Sequence, residues 1–384
     1  MPTNKLLCLT VFFTIFKVFL LQAQNATLSG YVYDQKTGES LIGVNVFDVS
    51  SQTGTVSNEY GFYSLTLPAK KHTIQFSYLG FQKMRKEIDL NKNVTLTIRL
   101  LEEEQQLETV VISATAEKEK ERVTNTELGK IDMPMSLLKK APVLLGESDV
   151  IKVLQLMPGV KRGSEGQVGM YVRGGGSDEN LILIDEAPVY NAGHLLGFFS
   201  VFNSNSIKEV NMYKAAFPAG YGGRLSSILD IKMKEGNDQR VAAEGSVGVI
   251  SSNLTIEGPI LKNKASFMLS GRRTYLDKVL QVVSKNIRLP YYFYDLNAKM
   301  NYKISDRDRL YLSSYFGRDI LYAPKLGSDT TTTKESGLGY SSFLGNFTVS
   351  SRWNHTYKGG KLFHNLTLLT SQFLYRVDVS GLRV

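Results

Sequence analysis

The chain has 384 residues, 42% of them hydrophobic and 21% charged, with 33 glycines and 10% aromatic residues. Its mean hydropathy of −0.13 leaves no room for a bundle of membrane helices, each needing about 20 consecutive apolar residues. The supply of Tyr, Phe, Val, Leu and Ile is too rich for a disordered chain, and the length suits two or three domains. The formal net charge of +9 raises the question of a nucleic-acid partner, which its distribution answers. Residues 25–108 carry 8 basic and 10 acidic side chains, residues 109–235 carry 15 of each, and residues 236–384 carry 20 and 11. The excess is confined to the last third, scattered among Tyr, Ser and Asn with no dense Lys/Arg block, so no nucleic-acid footprint is present.

Residues 1–24 read as a secretory signal peptide. Lys5 gives the positive start, residues 6–21 are apolar apart from Lys17, and Ala23 offers a small residue for cleavage. A membrane anchor is the alternative, opposed by the shortness of the run and its interruption by Lys17. The single cysteine, Cys8, lies inside this leader. The exported chain is therefore expected to have no disulfide, no cysteine zinc site and no thiol nucleophile.

Residues 25–101 show short alternating runs separated by turn residues, the pattern of a small β-sandwich. Strands are expected at 26–33, 43–48, 61–67, 72–77 and 94–100, with turns at 34–39, Thr53-Gly54 and 58–61. The segments LSGYVYDQKTGESLIGVNVF, GTVSNEYGFYSLTLP and HTIQFSYLGFQ, in that order, resemble the carboxypeptidase regulatory-like domain of secreted Bacteroidetes-type proteins. The resemblance implies an accessory binding or spacing module and not a peptidase.

Residues 102–130 are polar and charge-alternating, as in a solvated linker, apart from the β-branched run Leu107–Ala114. On its residues alone this run is either an edge strand of the preceding sandwich or a peptide held out for strand addition to a partner's sheet. The sequence LETVVISA resembles the TonB box of TonB-dependent outer-membrane receptors. That resemblance implies that Thr109, Val110, Val111, Ile112 and Ser113 pair with a TonB-like periplasmic protein of the inner-membrane energising complex.

Residues 131–236 mix short helices and strands. The apolar cluster at 148–156 is helix-compatible and stopped by Pro158-Gly159, and strand-like runs follow at 170–173, 181–185, 207–213 and 228–233. The triple glycine 174–176 is not read as a phosphate loop, because no Gly-Lys-Ser/Thr follows it. SDVIKVLQLMPGV, MYVRGGGSDENLILIDEAPVY and FNSNSIKEVNMYKAAFPAGYGGRLSSILDIKMKEG, taken in order, resemble the plug domain of TonB-dependent receptors. By that resemblance Arg173 faces acidic barrel residues that hold the plug. A second basic position falls at Lys214, where lysine keeps the charge and loses bidentate pairing. The resemblance also places ligand contacts on the plug apex, at Gly175, Ser177, Asp178, Asn180, Asn191 and His194. For His194, set among apolar residues, plain packing is the competing reading.

Residues 237–384 carry runs of period two. Leu296, Ala298, Met300, Tyr302 and Ile304 alternate with Asn297, Lys299, Asn301 and Lys303, and Phe343, Gly345, Phe347, Val349 and Trp353 alternate with mainly polar residues. Runs of about ten residues with aromatics near their ends are the mark of a transmembrane β-barrel wall, although a soluble antiparallel sheet alternates in the same way. Strands are expected near 243–256, 264–273, 294–304, 308–317, 343–357 and 361–376, with a short turn at 305–308 and a long polar loop at 323–340. Six strands cannot enclose a plug, which takes on the order of 22. The sequence is therefore expected to be part of a larger barrel.

The fold expected is mainly β: sandwich, α+β plug, then the first strands of an outer-membrane barrel. His72, His194, His355 and His364 show no metal-ligand spacing, and no nucleophile–base grouping is legible, so neither enzyme, cofactor nor metal is expected. What the resemblance implies is energised import across the outer membrane of a Gram-negative bacterium, with the sandwich in the periplasm. Its partners would be outer-membrane lipid, a nutrient such as a siderophore or oligosaccharide, and a surface lipoprotein lid. A non-transporting adhesin or structural barrel is the alternative.

Overall fold

The computed structural model describes residues 25–103, 129–133, 135, 138, 148–163, 169–194, 197–283, 291–323 and 339–380. The chain divides into two compact units, one built on an N-terminal sandwich and one on a plug with a seven-stranded sheet. Among the described residues, no helix is long and apolar enough to cross a membrane.

The sandwich holds β1 (Asn25–Asp34), β2 (Asn45–Asp48), β3 (Thr53–Val56), β4 (Phe62–Pro68), β5 (Lys71–Ser77), β6 (Met84–Asp89), β7 (Val94–Thr95) and β8 (Ile98–Leu100). One sheet has β1 at its centre, antiparallel to β4 and parallel to β7 and β8, and the other runs β3-β2-β5-β6. Between them Leu28, Val32, Val46, Leu65, Ile74, Phe76 and Ile98 form a core with almost no exposure. Gly30 (φ +156°) allows the close crossing between β7 and β8, since a Cβ there would stand 2.0 Å from the Leu96 carbonyl oxygen. Three strands differ from the sequence reading, one being the run expected at 94–100, which is split into β7 and β8 around residues 96–97. Thr53-Gly54, expected as a turn, begins β3 and pairs with Asp48 and Phe47 of β2, while the turn itself falls on the preceding residues, with Gln52 at φ +54°. β6 is polar and mostly exposed, an edge strand without the apolar alternation that marks a buried one.

The plug comprises β9 (Lys130–Met133), α1 (Val150–Leu154), β10 (Val160–Arg162), β11 (Met170–Val172), β12 (Asn180–Ile184), β13 (Ala187–Pro188), β14 (Gly193–His194), β15 (Phe199–Ser200), β16 (Ile207–Tyr213) and β17 (Ser227–Met233). Its sheet runs β13-β12-β17-β16-β9, with β12 and β17 parallel. α1 starts where Asp149 accepts the Ile151 and Lys152 N–H groups and stops ahead of Gly159 at φ +78°. Asp149 also accepts the Ser200 N–H at 2.6 Å, which ties the helix start to β15. Val150, Ile151 and Leu154 then meet Val210, Met212, Leu229 and Ile231 in one core, which the sheet's Met268 and Tyr315 complete.

The seven-stranded sheet follows in strict meander order: β18 (Ala242–Val247), β19 (Ser251–Leu261), β20 (Ala265–Thr274), β21 (Tyr291–Lys303), β22 (Asp308–Ala323), β23 (Gly339–Thr356) and β24 (Phe363–Ser380), with helix α2 (Leu276–Val283) after β20. The run expected as one strand at 243–256 is a hairpin, β18 and β19, closed by the Gly248 N–H on the Ser251 carbonyl at 2.8 Å. Most of the long loop expected at 323–340 lies outside the described residues.

In the inner strands of this sheet, β19–β23, burial is inverted relative to a soluble one, while β18 and β24 are exposed on both faces. On β21 the polar side chains Asp295, Asn297, Lys299 and Asn301 are buried, while Leu296, Met300 and Tyr302 are exposed. On β23, Asn346, Thr348, Ser350, Arg352 and Asn354 are buried while Phe347 and Trp353 are exposed. The polar face packs on the plug and the apolar face points outward, as in a barrel wall facing lipid.

Candidate functional site: the plug–wall interface

Three polar clusters join the plug to the polar face of the sheet. The first grows from the two-residue connection between β12 and β13. Ile184 pairs with Ala187, and the residues between them, Asp185 (φ 44°) and Glu186 (φ 71°), both lie in the left-handed region, as a type I′ hairpin turn demands. Asn-Gly or Asp-Gly is the usual solution, and a left-handed non-glycine residue costs about 1–2 kcal/mol. Here the turn aims two carboxylates at the wall. The Asp185 carboxylate takes the Lys299 Nζ of β21 and the Met233 N–H, while its carbonyl accepts Ser350 Oγ and Arg352 Nη2 of β23 at 3.1 Å. Glu186 Oε1 sits 3.2 Å from Arg352 Nε, and Ser371 Oγ of β24 donates to the Pro188 carbonyl. Burial opposes ionisation of Asp185, but the charges of Lys299, Arg352 and Lys232 prevail and lower its pKa.

The second cluster centres on His194. Its Nε2 is 2.8 Å from Asp295 Oδ1 of β21, its Nδ1 is 2.7 Å from Asp319 Oδ2 of β22, and its ring stacks on Phe293 at 4.1 Å. Arg272 of β20 grips the other oxygen of Asp295 through Nε and Nη2 and also donates to the Ser200 carbonyl of the plug. Tyr315 donates to Asp295 and Tyr291 to Asp319. Burial works against a charged imidazole, yet the two carboxylates outweigh it and raise the His194 pKa to about 9. At neutral pH the ring is an imidazolium donating to both aspartates.

The third cluster is Glu235, just after β17. Lys208 Nζ lies 2.8 Å from Oε1, Arg309 of β22 approaches Oε2, and the backbone carbonyl accepts Ser266 Oγ and Asn301 Nδ2 from the wall. Burial would raise its pKa; Lys208 and Arg309 instead bring it down to about 2. The next residue, Gly236 (φ +87°), brings the chain against β20, where a Cβ would stand 2.2 Å from the Phe267 carbonyl oxygen.

The residues singled out from sequence fall in several places. Thr109, Val110, Val111, Ile112 and Ser113 lie outside the described residues. Arg173 is exposed (φ 50°), and Lys214 donates to the Pro158 carbonyl of the plug itself. Among the described residues, neither meets a wall carboxylate, and the ion pairs to the seven described strands are made by Asp185, Glu186, His194 and Glu235. Asn180 is buried, with its amide donating to the Met170 and Ser177 carbonyls and its carbonyl oxygen accepting from Ser227, so it braces the turn. Gly175 packs so closely on Ser226 that a Cβ would meet its Oγ at 2.5 Å, whereas Ser177 and Asp178 are exposed. Asn191 exchanges hydrogen bonds with Asn346 of β23, its N–H donating and its carbonyl accepting. His194 is 1% exposed. The available signal for the missed residues was a lone charge on an inward strand position, as at Lys299, Asp295, Asp319 and Arg352.

Comparison with known proteins places families on two stretches. Residues 28–112 match the CarboxypepD_reg-like domain, and residues 142–227 match the TonB-dependent Receptor Plug Domain. The TonB-dependent receptor SusC of Bacteroides thetaiotaomicron is 28% identical over 246 residues, 59% of this chain and 23% of the relative. TonB-dependent receptor P3 of Formosa agariphila is 30% identical over 92 residues, 24% of this chain and 9% of the relative. The chain thus spans less than a quarter of the length of these curated relatives. Among solved structures, the siderophore receptor PirA from Acinetobacter baumannii aligns with a TM-score of 0.40 at 16% identity, over 70% of this chain and 46% of that one.

Proposed function

We propose that this chain, a homologue of TonB-dependent receptors carrying a CarboxypepD_reg-like domain and a plug domain, is the N-terminal part of an energised outer-membrane importer. The observation that carries the reading is the inverted sheet: a plug held on a polar inner face by Asp185, His194 and Glu235, beneath an apolar outer face. Such a plug closes the wall until work is done on it. The signal peptide sends the chain out, and the sandwich lies in the periplasm. A TonB-like protein adds the Leu107–Ala114 segment to its own sheet and pulls, so the energy comes from the inner membrane and no catalysis is required of the chain. The cargo is a siderophore, oligosaccharide or other nutrient, met on the outer side by Ser177 and Asp178, the exposed members of the apical set. A surface lipoprotein closes the mouth during capture.

The test is uptake by cells producing the full-length protein, using a labelled siderophore and oligosaccharide panel, with and without a proton-motive force. Val111→Pro removes a backbone donor from the partner strand. It should abolish uptake while surface binding persists. Unchanged uptake, or uptake indifferent to the proton-motive force, overturns the importer and leaves a passive or adhesive barrel.

A further inference from the structure

The outward face of the sheet holds a feature that plug anchoring does not use. The antiparallel register sets Leu254, Gly271 and Leu296 side by side on β19, β20 and β21. With no side chain at Gly271, the two leucines flank a trough, part of an open groove of about 610 Å³. A Cβ at Gly271 would touch only Leu296, at 3.5 Å. Two residues further along, away from the tight turn at Ser305–Asp308, Arg273, Tyr294 and Arg318 form the next outward row on β20, β21 and β22. Arg273 lies over the Tyr292 ring at 5.0 Å and Arg318 over the Phe316 ring at 5.5 Å. Among the described residues, neither guanidinium has a carboxylate or hydrogen-bond partner.

A cation on the lipid face costs about 2–4 kcal/mol at the bilayer midplane and about 0–1 near the interface. Two arginines in one row therefore mark the interface level, and the long connections at this end assign it to the outer leaflet. Stacking on an aromatic face fixes each guanidinium and leaves its N–H edge free for the bidentate geometry that phosphate accepts. The trough below has the width of one missing side chain and an apolar lining, which suits a hydrocarbon chain.

We propose that the groove at Gly271, lined at its head by Arg273 and flanked in the same outward row by Arg318, is a binding site for a phosphate-bearing acyl lipid of the outer leaflet. The acyl chain lies between Leu254 and Leu296, and the headgroup phosphates meet Arg273 on the Tyr292 side of the row and Arg318 on the Phe316 side. The site rests on the barrel reading above and is independent of the importer's cargo.

The experiment is native mass spectrometry of the full-length protein in detergent, offered diphosphoryl lipid A, dephosphorylated lipid A or inorganic phosphate. The wild type should retain the phosphorylated lipid at least about tenfold over the other two. Arg273→Gln with Arg318→Gln should erase that preference, and Gly271→Leu should displace the lipid by filling the trough. Equal retention by wild type and the arginine double variant, or equal retention of the dephosphorylated lipid, overturns the site. Carbonate extraction of the same membranes separates the two readings. A chain released by carbonate refutes the barrel and the site with it, whereas a retained chain without lipid preference refutes the site alone.

Discussion

Lys299 of β21 sets its Nζ 3.0 Å from the Asp185 carboxylate, with the two side chains 4% and 1% exposed. The lysine belongs to the wall and the aspartate to the plug, so the contact exists only while the plug is seated. Removing one member of a buried pair strands the other at about 3–5 kcal/mol, while replacing both is far milder. Lys299→Met leaves an Asp185 that Arg352 and Lys232 still face, which puts its cost at the lower end, about 3 kcal/mol. Lys299→Met with Asp185→Asn should cost clearly less than the two singles added together. Urea titration of the detergent-solubilised full-length protein, read by proteolysis of the plug, measures both; strict additivity would show that the pair does not hold the plug.

The His194 cluster makes plug seating depend on pH. The free imidazole titrates near 6.5 and the seated one at about 9. A raised folded pKa means that the stabilisation is complete below about 6.5 and is lost as pH climbs through about 9. Plug protection should therefore hold between pH 6 and 7 and decline toward pH 9.5. His194→Gln, which cannot charge, should show a weaker and flatter profile once the background titration of other groups is subtracted. Hydrogen exchange over residues 193–200 reads this directly, and superimposable wild-type and variant profiles would dismiss the imidazolium.

These locks were only half legible from the sequence. The alternation around Lys299 identified the wall, because side-chain period depends on strand geometry alone. Nothing local to Asp185 distinguished it, since its partner lies 114 positions away and the turn that aims it uses Asp-Glu where the pattern for such turns is Gly-containing. His194 was visible as a histidine in apolar surroundings, but its two aspartates are 101 and 125 positions distant. Arg173 was singled out because of a resemblance, and its exposed left-handed backbone position carries no trace in the one-letter string. β18 and β19 merged for a similar reason. The hairpin between them turns on Gly248 within a run whose alternation continues on both sides.

Gly236 gives a sharper local test. Its φ of +87° carries the backbone penalty of the left-handed region, and an added Cβ would also strike the Phe267 carbonyl, which is part of the β20 ladder and cannot rotate away. Gly236→Ala should prevent β17 from passing into the sheet and sharply lower the yield of protease-resistant protein in the membrane. Gly159→Ala is the control. Its φ is +78°, no atom lies within 4 Å, and its cost should stay near the backbone penalty alone, about 1–2 kcal/mol. Equal yields for the two variants would mean that the close approach at Phe267 does not constrain folding.

The direction in which the sheet faces lipid can be decided by depth. Leu269 is 51% exposed on β20, opposite Ala298 near the middle of β21, and Ile304 is 53% exposed beside the tight turn at Ser305–Asp308. On a soluble sheet a lysine at either exposed site would change stability by about 0.5 kcal/mol or less. Across a bilayer the two sites differ, because a lysine costs about 2–4 kcal/mol at the midplane and about 0–1 near the interface. Leu269→Lys should therefore destabilise the vesicle-inserted full-length protein by about 2–4 kcal/mol and Ile304→Lys by less than about 1. Inward substitutions at the same levels would not follow this gradient, since Ser270 and Lys303 face the plug side or the turn. Denaturant unfolding in lipid vesicles measures both variants. A near-zero cost at Leu269 would place its side chain in water and turn the exposed leucines into an ordinary solvent face.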